Sequence, residues 1–550
     1  MEHKEKILAQ KSKRAIETMY ITMLHLFNRG HYKPMGMSGS SLRKALLELE
    51  PEIYGSISDP KKFELQGLLY VLDRLPEGIE SCRFINLTAT EGLDEGHFTR
   101  IVPPKRRRNC YRIDGEQMNI EITRGRSDIY DVLTHLTFMY LESHKLLNRM
   151  FVGYKNEISH EWEKLQELVL SKDEITQEDR EVLFVYLSNL LSRSFDEVKS
   201  VYKQLSTKKN PDKFFKIIYG LGTLAAQEKV NNQYRLIRFS DGLIDQVGKH
   251  IYGNIWARNI KNVLFNKGML GRPIHIISSN MHSVLNVLYA KKALNYKSED
   301  VFMLYKQLSE VKSKAERDKV LQYALKNGLT EVNDTSGANI DVQIIDTSFI
   351  NQSSKEKAPV IIVMDYAFGE QAYETMDELL KPYNHGLEDE IKLDVESVSI
   401  MGKAGILFGD KGDVMIPTAH ILEGTADNYF FTNELNENQF KKLNLNTFTG
   451  NMVTVLGTSL QNKSILNYFK STSWNTVGLE MEGAHYQKAI QIASQVRNHI
   501  SKKVKVRYAY YASDNPLHSG STLASGGLGM KGVKPTYAIT EAILGQIFNY

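Results

Sequence analysis

Apolar segments rich in β-branched residues alternate with helical stretches through the second half of the chain, and this alternation constrains the fold more than any other feature. The last segment shows the strict period of two that is typical of a strand, with Val504, Val506, Tyr508 and Tyr510 on one face. Such alternation favours a largely parallel or mixed sheet with helices on both faces. The predicted strands are 274–277, 340–345, 360–364, 398–401, 413–417, 452–455 and 504–512.

The first half of the chain has a different pattern, in which helical spacing prevails. A hairpin is predicted within residues 110–122, because Asp114-Gly115 suits a tight turn. Residues 150–265 are almost wholly helical, and the pattern changes at Gly271. The predicted domains are an α+β N-terminal region of unknown role at 1–150, a helical region at 151–268 and an α/β domain at 269–550.

The charge balance argues against a dedicated nucleic-acid binder. The 550 residues are enough for two to four domains, and 69 Lys plus Arg against 65 Asp plus Glu leave a formal charge of only +4. The run Lys105-Arg106-Arg107-Arg108 is a local exception. It is either a solvated loop or a contact for an anion or nucleotide.

Cysteine usage and hydropathy favour a cytoplasmic protein. Cys82 and Cys110 are the only two cysteines, too few for a disulfide framework and without the spacing of metal ligands. We therefore expect a reducing compartment and no metal site. The amino terminus carries charges of both signs without an apolar segment, and no later stretch is long enough to span a bilayer.

Two acidic motifs stand where chain elements change. Glu480 and Glu482 precede a segment with helical spacing, so Glu482 is expected where a strand or loop enters a helix. Asp514 ends the strand at 504–512 and is followed by Asn515-Pro516, so its side chain is expected to project from a loop. In open α/β sheets ligands bind at this edge.

These motifs, in this order, resemble the nucleoside phosphorylase and nucleosidase superfamily, and most closely the catalytic domain of AMP nucleosidases. The resemblance covers roughly the last half of the chain. The matching residues are 360–364 running into 368–372, the glycine-rich strand end 402–407 with Gly412-Asp413-Val414, Met481-Glu482, and Ser513, Asp514, Pro516, Leu517 and His518.

The resemblance implies an α/β protein: a C-terminal phosphorylase-type mixed-sheet α/β sandwich preceded by a mainly helical α+β N-terminal region. It also implies cleavage of the N-glycosidic bond of a purine nucleotide, AMP plus water giving adenine and ribose 5-phosphate. Asp514 matches the general acid that protonates the purine, which requires burial to raise its pKa. Glu482 matches the glutamate that holds the ribose hydroxyls. Neither a metal nor an organic cofactor is required.

A nucleotide also needs a phosphate site, and glycine turns before helices offer N–H groups for it. The turn 278–282, which aligns with the superfamily's first phosphate loop, lacks the arginine often found there, so the charge would come from Arg272, Lys403, His518, Lys531 or another subunit. Ile406 replaces a family glycine and is expected to narrow the space beside the sugar. The candidate substrate-binding residues are Met481, Ser513, Gly402, Gly405, Gly369, His518 and Lys403, and the loop 518–522 has hydroxyls suited to an oxyanion.

Three alternatives stay open at this point. Glu480 either shares the site or complements the dipole of the following helix. Phosphate could replace water as nucleophile, which would make the protein a purine nucleoside phosphorylase. A protein of another class, a purine-nucleotide sensor without turnover, would keep the pocket alone. The resemblance implies a purine nucleotide or nucleoside as ligand, phosphate as a second ligand if the reaction is phosphorolysis, and a homo-oligomer. The charge balance and the hydropathy favour no nucleic acid and no membrane as partners.

Overall fold

The computed structural model describes residues 2–93, 96, 98–152, 157–171, 173–351, 357–384, 386, 390–425, 427–471, 474–518 and 529–548. The chain forms two compact units. Unit 1 comprises Met1–Val247 and Ser459–Ile465, and unit 2 comprises Gly248–Thr458 and Leu466–Tyr550. The three-way division at 150 and 268 stays a prediction.

Within residues 1–247 the helices are α1 (Glu2–Asn28), α2 (Ser40–Leu49), α3 (Leu65–Leu72), α4 (Gly125–Met150), α5 (His160–Leu170), α6 (Gln177–Leu191), α7 (Phe195–Leu205), α8 (Lys213–Asn231) and α9 (Asp241–Gln246). The strands are β1 (His31–Tyr32), β2 (Phe84–Thr88), β3 (Arg100–Ile101), β4 (Cys110–Arg112), β5 (Gln117–Glu121), β6 (Phe151–Val152), β7 (Glu157–Ile158) and β8 (Leu236–Phe239).

Unit 1 contains a sheet with the strand order β1-β8-β2-β5-β4-β3. Strand β2 runs parallel to β5 and β8, and β4 pairs antiparallel with β5, which confirms the predicted hairpin. The basic run lies in this unit. Arg106 and Arg108 are buried in ion pairs, 2.7 Å from Asp131 and 2.7 Å from Asp128 respectively, so a solvated loop is wrong for these two side chains.

From residue 248 the helices are α10 (Ile251–Asn266), α11 (Met281–Leu285), α12 (Lys291–Ala293), α13 (Val301–Leu308), α14 (Lys314–Lys326), α15 (Ser348–Asn351), α16 (Gln371–Leu380), α17 (Asn438–Lys441), α18 (Lys463–Ser471), α19 (Gly483–Gln491) and α20 (Val533–Phe548). The strands are β9 (Ile274–Ser278), β10 (Leu329–Val332), β11 (Val342–Asp346), β12 (Val360–Met364), β13 (Val395–Ile406), β14 (Val414–Leu422), β15 (Asn428–Phe430), β16 (Thr447–Thr454), β17 (Thr476–Glu480) and β18 (Lys505–Asp514).

Unit 2 is a mixed sheet covered by helices on both faces. Its strand order is β10-β11-β12-β9-β13-β17-β16-β14-β15, and β18 pairs with both β13 and β14. One apolar cluster packs α10, α16 and α19 against one face, and a second packs α11, α13, α14 and α20 against the other. The predicted fold class is therefore confirmed: a mixed-sheet α/β sandwich follows a mainly helical α+β region. Among the described residues, no helix is both long enough and apolar enough to cross a bilayer.

The strands nearest the acidic motifs form a closed ring of strand pairs. Strand β13 pairs with β17 and β18, β18 pairs with β14, β14 with β16, and β16 with β17. The long strand β13 therefore lies between β17, which ends at Glu480, and β18, which ends at Asp514.

Candidate active site

The residue Gly405 brings the two acidic motifs together. It pairs with Leu479 of β17 on one side and with Asp514 of β18 on the other. Since neighbouring strands lie about 4.8 Å apart, the segments around Glu480 and Asp514 flank the same part of β13. The structure thus places the predicted residue Gly405 between the two motifs, whereas Gly402 pairs with Tyr510 of β18.

Asp514 is the last residue of β18, and its side chain is completely buried, so the expectation that it projects from a loop is wrong. The hydroxyl of Ser513 donates a 2.6 Å hydrogen bond to Oδ1, whereas Oδ2 has no hydrogen-bond partner among the described residues. Burial raises the pKa of Asp514 to about 6, and the Ser513 hydrogen bond and the charges of Lys411 and Lys403 oppose that rise. This carboxyl group can therefore carry a proton near neutral pH, and one of its buried oxygens has no hydrogen-bond partner among the described residues.

Glu482 occupies the N-cap position of α19 with φ −126° and ψ −23°. Its Oε1 accepts a 3.0 Å hydrogen bond from the backbone N–H of Gly369, a glycine with φ +55°. Burial raises the pKa of Glu482 to about 7, while the Gly369 hydrogen bond and the charge of Lys403 favour the ionised form. The amide of Gly369, expected to face a phosphate, thus binds this carboxylate instead.

Glu480 ends β17 and fastens the loop that carries Glu482. Its carboxylate accepts hydrogen bonds from the amides of Glu482 (2.5 Å) and Gly483 and from the hydroxyl of Thr454. Burial, followed by the nearby charge of Glu482, raises the pKa of Glu480 to about 8. Because its two amide partners open α19, Glu480 acts at the helix N-terminus and orients Glu482.

Thr454 and His420 lie on other strands and contact the segment that carries Glu482. Sequence reasoning missed both residues. The Thr454 hydroxyl, at the end of β16, also accepts a 2.9 Å hydrogen bond from the amide of Ala484. His420 of β14 is fully buried, and burial lowers its pKa to about 3, so the ring is neutral. A Cβ atom at Gly483 would lie 2.2 Å from Cδ2 of His420. Neither residue lies in a local motif, so only the sheet pairing identifies them.

Lys403 of β13 interacts electrostatically with both acids. Its side chain is exposed, and its charge favours the ionised forms of both Glu482 and Asp514, which lowers their pKa values. Met481 is partly buried between Glu480 and Glu482.

A side chain could be added at Gly402 without a clash, so no close contact requires glycine at this position. A Cβ atom there would lie 3.6 Å from the ring of Tyr366, an ordinary contact. The side chain of Ile406 is fully buried in the apolar core with Met415 and Val477, and its effect on the space beside the sugar stays a prediction.

The turn after β9 is linked to α19. The hydroxyls of Ser278 and Tyr486 lie 3.0 Å apart, and Asn280 caps α11 by accepting a 3.0 Å hydrogen bond from the amide of Ser283. The turn 278–282 contains no lysine or arginine. Any positive charge for a phosphate therefore comes from other segments.

Arg272 is not such a source. It precedes β9, at the opposite end of the strand from Ser278, and its guanidinium binds both carboxylate oxygens of Asp346 at 2.6 and 3.1 Å. His518 is 61% exposed, with Nδ1 3.8 Å from a carboxylate oxygen of Asp410. Lys531 is exposed just before α20. Residues 519–522 of the predicted oxyanion loop lie outside the described residues.

One group in unit 2 has the composition of a metal site. His250, Asp377 and Glu378 offer ligand atoms within 4.8 Å of one another. Both carboxylates are already paired, since Nζ of Lys381 lies 2.5 Å from Glu378 and Nη1 of Arg497 lies 2.7 Å from Asp377. We assign these residues to an ion-pair network.

A family model described as "Family of unknown function (DUF6909)" matches residues 40–301 and 290–549. The chain belongs to this family. A search of curated proteins found no match to the DUF6909 chain.

Several solved structures align with half of this DUF6909 protein. Futalosine hydrolase of Helicobacter pylori strain 26695 aligns at 12% identity with a TM-score of 0.32, covering 51% of this chain and 99% of its own. The 5'-methylthioadenosine/S-adenosyl homocysteine nucleosidase of Campylobacter jejuni aligns at 12% identity and 0.31, covering 50% and 99%. Purine nucleoside phosphorylase from Toxoplasma gondii aligns at 14% and 0.29, covering 50% and 92%. Scores of this size do not by themselves establish a shared fold.

Proposed function

We propose that this protein hydrolyses the N-glycosidic bond of a purine nucleotide, with AMP as the substrate. One observation carries the proposal: Asp514 is a buried carboxyl group at a strand end, held through Oδ1 by Ser513, with Oδ2 lacking a partner among the described residues. A base leaves ribose readily only when it is protonated, and a carboxyl group of raised pKa supplies that proton. The sequence motif around Asp514 supports the same role.

The chemistry begins with proton transfer from Oδ2 of Asp514 to N7 of the purine. The bond between C1′ and N9 breaks, and its electron pair moves onto the base while positive charge develops on the ribose. The carboxylate of Glu482 accepts hydrogen bonds from the ribose hydroxyls and stabilises that charge. Water then attacks C1′ and loses a proton to solvent or to the Asp514 carboxylate, which restores the starting state.

The choice of a nucleotide over a nucleoside rests on positive charge beside the two acids. The exposed ammonium group of Lys403 acts electrostatically on both Glu482 and Asp514, and that of Lys411 acts on Asp514. A 5′-phosphate entering beside these lysines would gain favourable interactions that a neutral nucleoside lacks. With Arg272 bound to Asp346, these lysines are the best-placed candidates among the described residues.

The test is a screen for released base. Purified full-length protein is incubated with AMP, IMP, GMP and their nucleosides, with and without inorganic phosphate, and the products are separated by HPLC. Adenine and ribose 5-phosphate from AMP without phosphate support the proposal. Release of base from nucleosides only when phosphate is present, with ribose 1-phosphate as product, would establish the phosphorylase alternative.

Two further results of the screen are informative. Purine-nucleotide binding without any base release would identify a sensor and refute the hydrolase. The homo-oligomer expected from the resemblance is a separate proposal, and light scattering coupled to size-exclusion chromatography measures it directly.

A further inference from the structure

A pocket in unit 1 has a basic lining that the proposed function does not use. It lies beside the end of α1, strand β1 and the loop 33–38, and its volume is about 590 Å³. Small-molecule sites span roughly 300–1,000 Å³. Arg29, His31 and Lys33 contribute to the lining, and none of the described lining residues is acidic.

The three cationic or potentially cationic side chains are uncompensated. Arg29, His31 and Lys33 are exposed and form no ion pair with another described residue. A cation at the end of α1 is favourable on account of the helix dipole, which accounts for Arg29. It does not account for His31 and Lys33, which lie beyond the helix. A concave surface lined by charges of one sign concentrates the opposite charge.

The loop that carries Lys33 is held in place before any ligand arrives. The amide of Lys33 donates a 3.0 Å hydrogen bond to Oγ of Ser38, and Nη1 of Arg43 donates a 2.9 Å hydrogen bond to the carbonyl of Gly36. A Cβ atom at Gly39 would lie 2.1 Å from a carbonyl oxygen of the same loop, so the turn depends on glycine. A preorganised loop reduces the entropy that binding must overcome.

In this pocket the aromatic ring of Tyr234 lies next to the positively charged Lys33 side chain. Nζ of Lys33 lies 5.1 Å from the centroid of the Tyr234 ring, and the Met37 side chain is 90% exposed at the pocket. Tyrosine and methionine bind apolar or ring-shaped groups well. The combination suits a ligand that has an anionic end and a less polar end.

We propose that this pocket binds a small phosphorylated molecule, with its phosphate against Arg29, His31 and Lys33 and the rest of the ligand against Tyr234. Arginine binds phosphate oxygens through paired N–H groups, and lysine does so as a point charge. This proposal does not depend on the proposed function, because the pocket and the acids around Asp514 belong to different units.

The experiment is calorimetric titration of the full-length chain with pyrophosphate, ribose 5-phosphate and AMP. The pocket variant is Arg29→Gln with Lys33→Gln. The matched control is Lys208→Gln with Lys209→Gln, two exposed lysines of the same unit. Circular dichroism verifies that each variant is folded. All probes are titrated on the Asp514→Asn background, so that AMP is not turned over during the measurement, and the pocket substitutions alone assign a binding event to the pocket.

The expected result is a binding event that the pocket substitutions weaken about tenfold or more, while the lysine control binds as tightly as the parent Asp514→Asn protein. Tyr234→Ala should weaken AMP more than pyrophosphate. Equal binding by the folded pocket variant, or no binding of any probe, would overturn the proposal. So would a short RNA that binds more tightly than AMP through the same residues, since that would make the pocket part of a nucleic-acid surface.

Discussion

The hydroxyl of Ser513 donates a 2.6 Å hydrogen bond to Oδ1 of its neighbour Asp514, and this bond makes the two carboxylate oxygens unequal. Oδ1 is held in place, whereas Oδ2 is buried without a partner among the described residues. A buried polar atom without a partner costs free energy, so such atoms are often found where a ligand completes the hydrogen bonding. The proton and the substrate therefore both belong on Oδ2.

Replacing Asp514 by Asn should abolish release of base from AMP while leaving AMP binding nearly intact. Asparagine keeps the shape of the side chain and can still accept the Ser513 hydrogen bond, but it has no acidic proton. Loss of a general acid typically costs about 10²–10⁴-fold in rate. HPLC measures turnover, and calorimetry measures binding.

The control for this variant is Asp410→Asn, which removes a carboxylate that is 83% exposed in the loop after β13. It should retain the turnover of the unmodified protein. Unchanged turnover in Asp514→Asn would contradict the proposed mechanism. Equal losses of turnover in both variants would indicate a general effect of removing a negative charge.

The pH dependence of kcat/KM should be bell-shaped. The mechanism needs Asp514 protonated, with a pKa of about 6, and Glu482 ionised, with a pKa of about 7. Activity should therefore be greatest between about pH 6 and 7 and fall on both sides, because the active protonation state is most populated there. Initial rates from pH 4.5 to 9 measure the profile. A rate that stays constant up to pH 9 would contradict Asp514 as the acid.

Asp514→Asn should also stabilise the protein at alkaline pH. The folded-state pKa of about 6 exceeds the ordinary aspartate value of 3.8, so the unfolded chain ionises first as pH rises. The free energy of unfolding then declines between about pH 4 and 6 and stays lower above that window. Asparagine removes this penalty, worth up to about 2–3 kcal/mol.

Urea unfolding at pH 8 and at pH 3.5 measures the effect. The variant should be more stable than the unmodified protein at pH 8 and no more stable at pH 3.5, where the carboxyl group is protonated in both states. An equal difference at the two pH values would show that the gain does not come from ionisation.

Gly483→Ala and Gly402→Ala should differ sharply although both glycines belong to the candidate site. The new Cβ atom at Gly483 would lie 2.2 Å from His420, whereas the nearest atom at Gly402 is 3.6 Å away. We expect Gly483→Ala to lose about 1–3 kcal/mol or more through overpacking, and Gly402→Ala to unfold at nearly the normal temperature. Thermal melts of both variants measure this, and equal melting temperatures would contradict the packing at His420.

Much of unit 2 could be predicted from sequence because its strands are apolar and β-branched. All seven predicted segments are strands in the structure, although β13 extends from Val395 to Ile406 and far exceeds the prediction. The strands β10, β15 and β17 were missed. The first is short and mixes polar with apolar residues, the second is an edge strand of three residues, and the third has only five residues with a glycine at its centre. Local periodicity carries little signal in such segments.

The α/β class, the order of the motifs and the position of Asp514 at the end of a strand follow from local sequence, because period-two hydrophobicity and turn residues act over a few positions. The use of the charges depends on contacts between distant segments. These contacts join Gly369 to Glu482 across 113 positions, bind Arg272 to Asp346 and leave Oδ2 of Asp514 without a hydrogen-bond partner among the described residues. Hydrogen bonding and desolvation depend on neighbours in space, and sheet pairing between distant segments sets those neighbours.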